Sequence, residues 1–321
     1  MTITNDSIES SSLIHQQIFV VEGNARHTSK HVIGVLLTVF LVYINSLMFH
    51  TLLSKPVFRE LPRYILFAHM LCNDSFHVLI SMSMYLMTLG LQKIPKALCA
   101  LILLFATTTF NNAPLNLAVM SLERYVAICF PLRHSEIVNQ KSASLSICFI
   151  WFVSSLNIVI AILYSLIWSP VSFKDSMFCV RERILNSPWQ LDMSRGFNIF
   201  FFTTVTAILV FTYVNVVIVA RSASSQKDSA KKAQRTILLH LGQLLLCVNS
   251  FIYGTIERVL AMASSSDLFR DLRYLNFLFV LLLPRCLSPL IYGLRDDAVR
   301  PLFFYYASCG SRKVKPSVTV H

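Results

Sequence analysis

The sequence predicts an all-α membrane protein: a seven-transmembrane helix bundle with a short amphipathic helix at its C-terminal end. Three observations carry that prediction. Of 321 residues, 55% are hydrophobic and only 14% are charged, against about 25% charged in soluble domains. Mean hydropathy is +0.61. Seven apolar runs of membrane length follow one another, and about 20 residues suffice to span a bilayer. The chain has room for those helices and short loops, and not for a large soluble domain as well.

The runs cover 31–53, 64–89, 98–129, 145–168, 196–220, 237–262 and 274–294. The third is long enough to tilt or to run past the bilayer. Residues 1–30 hold no long apolar stretch, so the first run is expected to start insertion itself, without a cleaved signal peptide. Residues 1–30 are read as an extracellular tail, 31–294 as the bundle and 295–321 as a cytoplasmic tail. Asn5-Asp6-Ser7 is a glycosylation sequon, in agreement with an outer N-terminus. Asn73-Asp74-Ser75 has the same form but lies inside the second run, where no glycan is added.

With that orientation, sixteen of the 28 Lys and Arg fall in inner segments and ten in outer ones, as the positive-inside rule requires. Arg258 and Arg285 lie within runs. The net charge of +12 is therefore mostly an inner-face property. It suits anionic lipids and an acidic intracellular partner; nothing calls for nucleic acid. Beyond the seventh run, Leu302-Phe303-Phe304-Tyr305-Tyr306 follows Arg295 and Arg300 and reads as an amphipathic helix on the inner surface, ended at Gly310.

Five of the eight cysteines lie in or at the ends of runs, as small apolar residues. Cys99 opens the third run on the outer side and Cys179 lies in the outer loop 169–195. Two cysteines facing an oxidising compartment can close a disulfide. Cys309, near the basic tail, is a candidate for palmitoylation. No metal cluster, catalytic triad or phosphate loop is legible, so neither a cofactor nor an enzyme is expected.

Function is concentrated in the few charges that enter the runs, because lipid tolerates them only when they face the interior or reach water. Glu123, Arg124 and Tyr125 close the third run at its cytoplasmic end. Asp74 lies midway through the second, with Asn45 and Ser288 as polar candidates nearby. Arg285 precedes Pro289 by four residues, about one helical turn. It needs an anion, and Asp74 and Glu257 are on offer. Both Asp74 and Arg285 fall toward the inner halves of their helices, so a pair between them is expected, in competition with any sodium ion at Asp74. Pro289 permits a kink. Alone that is a static bend beside a buried Tyr292; with the charged triplet it reads as a hinge that swings Tyr292. Glu257 and Arg258 are neighbours and cannot share a helix face. With Tyr253, Glu257 gives the sixth helix a polar face that suits either a ligand or a buried partner.

These motifs resemble rhodopsin-like G-protein-coupled receptors, and more narrowly vertebrate odorant receptors, above all those of fish. Met120–His134 is similar to the signature at the inner end of the third helix. Lys232-Ala233-Gln234-Arg235-Thr236 with His240 resembles the one that opens the sixth, Phe251-Ile252-Tyr253-Gly254 an odorant-receptor motif deeper in that helix, and Pro284–Arg295 the seventh-helix signature. Asn45, Asp74, Cys99, Trp151, Cys179 and Tyr213 fit landmarks elsewhere. Three departures stand out: Ser288 where the family usually has Asn, Glu123 where Asp is commoner, and a single outer-loop cysteine where many odorant receptors have more.

The resemblance implies a small odorant bound in the outer half of the bundle and an olfactory-type stimulatory heterotrimeric G protein coupled at the inner face, raising cyclic AMP. It implies a pocket of Ala106, Thr107, Phe110 and Asn111 on the third helix, Phe197, Asn198 and Phe201 on the fifth, and Tyr253, Ile256, Glu257 and Leu260 on the sixth. It implies switch roles for Asp74, Glu123, Arg124, Tyr125, Tyr213, His240, Arg285, Pro289 and Tyr292, and a plasma-membrane location in olfactory cilia. The stretch 99–110 holds no acid, which argues against a biogenic amine. The alternatives are a rhodopsin-like receptor for a lipid or peptide and, from another class, a transporter; the absence of paired halves counts against the latter.

Overall fold

The computed structural model describes residues 25–89, 93–168, 176–177, 179, 187–222 and 296–308, with 238, 242, 268, 271–272, 274–275, 277–283, 285–286 and 289 between them. Helix α1 (Ala25–Leu53) is joined by the short α2 (Pro56–Glu60) to α3 (Pro62–Leu89). Strand β1 (Ile94–Pro95) leads into α4 (Lys96–Cys129). A 3₁₀ turn (Pro131–Arg133) and the single turn α5 (His134–Ile137) connect it to α6 (Gln140–Trp168). Strand β2 (Ser176–Met177) precedes α7 (Pro188–Ser222); a π-helical turn (Phe277–Leu282) and α8 (Val299–Ala307) follow.

Five of these helices are long and apolar enough to cross a membrane: Ser29–Leu53, Pro62–Met87, Lys96–Cys129, Gln140–Trp168 and Trp189–Val219. They lie where the first five runs were expected. Of the sixth run only Leu238 and Gly242 are described, both helical. The pattern of burial is that of a body solvated by lipid. Leu36, Val39, Phe40, Phe152, Ile167 and Phe200 face outward, while Asn45, Asp74, Asn112 and Asn116 are buried. Polar groups turn inward because a bilayer offers them no hydrogen bonds.

Helix α4 is the hub, packing against α3, α6 and α7, while α3 also packs against α1. At the end that carries the charged triplet, Met48 and Leu52 of α1, Phe67 and Met70 of α3 and Leu117 and Met120 of α4 form one cluster with Val299, Leu302 and Phe303 of α8. Pro114 sits inside α4 and has no amide hydrogen for the Phe110 carbonyl.

Several helices begin earlier than hydropathy alone suggests, because their first turns are polar and are satisfied by their own caps. Asn139 precedes α6, and its Oδ1 accepts from the Ser142 amide at 2.9 Å while the Asn139 amide donates to Ser142 Oγ at 2.9 Å. That reciprocal pair is a capping box. Helix α7 starts eight residues before the expected Gly196. There the Ser187 amide donates to Gln190 Oε1 at 3.2 Å, and Gln190 Nε2 reaches the Ala161 carbonyl at 3.2 Å.

Two local details depart from a plain succession of α-helices. The short antiparallel ladder pairs Ile94 with Met177 and Pro95 with Ser176; two residues are too few to leave a pattern in a sequence. The seventh run holds a π-helical turn, and a uniformly apolar stretch such as Phe277–Leu282 carries no periodicity to separate π from α.

Candidate functional site

The site grows from one face of α3. Asn73, Asp74 and His77 are all buried, and residues three and four apart share a helix face. Asn73 Nδ2 donates to the Thr109 carbonyl at 2.9 Å, and Asn112 Nδ2 donates to Asn73 Oδ1 at 3.0 Å. His77 Nδ1 and Thr109 Oγ1 lie 3.1 Å apart. Further along, Asn116 Nδ2 donates to the Leu66 carbonyl and Asn111 Nδ2 to the Ser154 carbonyl, each at 3.2 Å. The polar residues of α4 thus bolt α3 and α6 to it, and each such bond is costly to leave unmade once buried.

The expected pair is present: Arg285 Nη1 lies 3.3 Å from Asp74 Oδ1, with side chains 2% and 0% exposed. The guanidinium also stands 6.0 Å from the centre of the Phe110 ring, within cation–π range. A fixed cation already faces the carboxylate, so these residues do not fit a sodium ion at Asp74. Pro289, one turn beyond Arg285, is buried.

Beside this network lies a cavity of about 220 Å³ lined by His77, Met84, Leu103, Ala106, Thr107, Phe110, Asn111 and Asn198. All four residues expected on α4 line it, and Asn198 of α7 does too. Phe197 and Phe201 are placed differently: their rings stack at 5.9 Å and pack with Phe202, Val205 and Ala118. They support the wall rather than form it. Met84, Leu103 and His77 were missed by sequence reasoning. For His77 a signal existed, because it falls three residues after Asp74 and so shares its inward face. Tyr253, Ile256, Glu257 and Leu260 lie outside the described residues, as do His240, Tyr292, Ser288, Asn5 and Cys309.

At the cavity's end of the bundle a disulfide joins Cys99 to Cys179, with an S–S distance of 2.07 Å. It clips the segment before α7 to the first turn of α4, beside the β1–β2 ladder. Lys30 and Asp271 pair at this end, and Tyr85 Oη bonds His31 Nδ1 at 2.6 Å.

At the opposite end, Glu123 is 7% exposed and its two oxygens each have a side-chain nitrogen 3.5 Å away: Arg124 Nε from Oε2 and His134 Nε2 from Oε1. The sequence motif gives His134 no role; the turn through Pro131–Arg133 brings it back to Glu123. The Tyr125 ring meets Phe130 and, across the helix boundary, Phe211 of α7 at 5.5 Å. Tyr213 packs with Ile128 around Val216. Helices α4 and α7 therefore meet at the triplet through aromatic side chains, while the arginine is held by its own helix.

This architecture of long lipid-facing helices with a polar spine, a cavity near one end and an acid–arginine–tyrosine triplet at the other defines a membrane receptor. The family model for the 7 transmembrane receptor (rhodopsin family) matches residues 44–292, and the chain belongs to that family, a family of receptors and not of enzymes. It is 33% identical to Odorant receptor 131-2 of Danio rerio over 87% of this chain and 88% of the relative. It is 26% identical to human Olfactory receptor 2M3 over 67% of this chain and 69% of the relative. Rat Olfactory receptor 1 is 24% identical over 94% of this chain and 95% of the relative.

Proposed function

We propose that this chain is an odorant receptor of the plasma membrane, expressed on olfactory cilia, with residues 1–30 outside and 295–321 inside. A small molecule enters the cavity from the disulfide end. It favours the receptor state that it binds more tightly. In that state Arg124 leaves Glu123, and an olfactory-type stimulatory G protein engages the opened face. The observation that carries this reading is that cavity and triplet occupy the two ends of one helix, α4. Ala106 and Arg124 are eighteen residues apart, about 27 Å along the axis. A rod packed on three sides can move both ends together. A coupling of about 1–3 kcal/mol between such sites is typical.

The sixth-helix residues Tyr253, Ile256, Glu257 and Leu260 complete the pocket in this reading, and His240, Tyr213, Pro289 and Tyr292 take part in the switch. The test is a cyclic-AMP reporter in cells that express the chain with an olfactory G protein, exposed to odorant mixtures. The parent is expected to respond, and Arg124→Ala to lose at least about tenfold in response at equal surface expression. An undiminished Arg124→Ala response would refute the switch role.

A further inference from the structure

We infer that His77 selects the ligand: the cavity takes a small uncharged hydroxyl compound whose O–H donates to His77 Nε2. This rests on reading the cavity as the ligand pocket. The tautomer follows from following protons. The Thr109 hydroxyl is turned to its own helix, 2.7 Å from the Phe105 carbonyl and 3.1 Å from that of Ala106. It has one hydrogen to give, so its oxygen can only accept from His77. The proton of the ring is therefore on Nδ1, 3.1 Å away, and Nε2 presents a bare lone pair.

His77 is 3% exposed and lines the cavity, and its Nε2 has no hydrogen-bond partner among the described residues. The shape of an imidazole turns Nε2 away from the bonded Nδ1. A buried acceptor left unmade is costly, and a ligand donor removes that cost.

Charge narrows the class further. Among the described residues no acid lines the cavity, and the Phe110 ring has His77 on one contact at 5.7 Å and the Arg285 guanidinium on another at 6.0 Å. On the described walls an ammonium donor would enter beside a cation whose carboxylate, Asp74, is already taken at 3.3 Å. Glu257, which the proposed function adds to the pocket, is the carboxylate such a donor would need, and the octylammonium probe below tests for it. A hydroxyl donor carries no such cost. Size follows from volume: a cavity of 150 Å³ holds benzene, so about 220 Å³ suits roughly nine heavy atoms.

Three probes of nine heavy atoms separate the possibilities: 1-octanol, its isomer 1-methoxyheptane, which lacks the donor, and octylammonium. The measurement is the melting temperature of the purified full chain in lipid nanodiscs against probe concentration. The alcohol is expected to half-saturate at about tenfold lower concentration than the ether, as one hydrogen bond allows, and octylammonium to give no stabilisation. In His77→Leu, which removes the acceptor, and in Thr109→Val, which frees the ring to change tautomer, the gap is expected to narrow to within about threefold. Equal action of alcohol and ether on the parent, stabilisation by neither, stabilisation by octylammonium, or a tenfold gap that survives in either variant overturns the inference. A hydroxyl-selective shift without a cyclic-AMP response would count against the signalling reading alone.

Discussion

Asp74 and Arg285 bury opposite charges 3.3 Å apart with almost no exposure. Such a pair gains little over a well-packed apolar substitute, yet removing one member leaves a lone charge and costs about 3–5 kcal/mol. Arg285→Met is therefore expected to lower the stability of the purified receptor by about that much. Asp74→Asn combined with Arg285→Met should recover most of the loss, because no charge is then stranded. Thermal melts of the parent, the two single variants and the double variant form a cycle that isolates the pair. The same cycle reports on sodium. The parent should melt alike in sodium and choline chloride, since Arg285 already faces the carboxylate, whereas Arg285→Met should gain stability specifically from sodium. A parent that melts higher in sodium than in choline would show that the guanidinium does not hold that place. The pair was legible in the sequence because charges within spans are few and each needs a partner. For His77 only the inward face was legible, three residues after Asp74; its bond to Thr109 shows only once α3 and α4 are seen side by side.

Among the elements, α8 shows how a nine-residue helix is held. Val299, Leu302 and Phe303 bury against α1, α3 and α4, and the His50 and Tyr306 rings meet edge to face at 4.8 Å. Its start is fastened as well. Asp296 Oδ1 accepts from the Ala298 and Val299 amides at 2.9 and 3.2 Å, and Tyr64 Oη donates to Asp296 Oδ2 at 3.1 Å. Arg63 Nη2 in turn donates to Tyr64 Oη at 2.6 Å. One carboxylate thus caps α8 and ties it to the first turn of α3. Asp296→Ala is expected to cost about 1 kcal/mol locally, seen as roughly fivefold faster amide exchange across Val299–Ala307. Tyr64→Phe keeps the cap and should change that exchange by less than half as much. Equal exchange in all three proteins would mean that apolar burial alone positions the helix. The apolar stretch of α8 was readable from sequence, as were five of the spans, because length and hydropathy suffice for both. Their beginnings were not. Gln140-Lys141-Ser142 and Pro188–Arg195 look like loop by composition, and only the hydrogen bonds of Asn139 and Gln190 show that helix has already begun.

For the whole molecule, the decisive property is which end faces which compartment. The disulfide lies at the cavity's end, and disulfides persist where the medium is oxidising. The triplet end gathers Arg59, Arg63, Arg124, Arg133 and Lys141, which the positive-inside rule places in the cytoplasm. The two criteria are independent, one chemical and one electrostatic, and both support the proposed orientation. In the proposed orientation the chain makes an odd number of crossings, with Ser29 starting the first span at the disulfide end and α8 packed at the triplet end. An epitope fused before Met1 is therefore expected to be accessible to antibody on intact cells, and one fused after His321 only after permeabilisation. Immunofluorescence of the two tagged chains, with a known cytosolic marker as control, decides it. Both tags on one side would leave an even number of crossings. The cavity and the charged triplet could then no longer be the outer and inner ends of one signalling path.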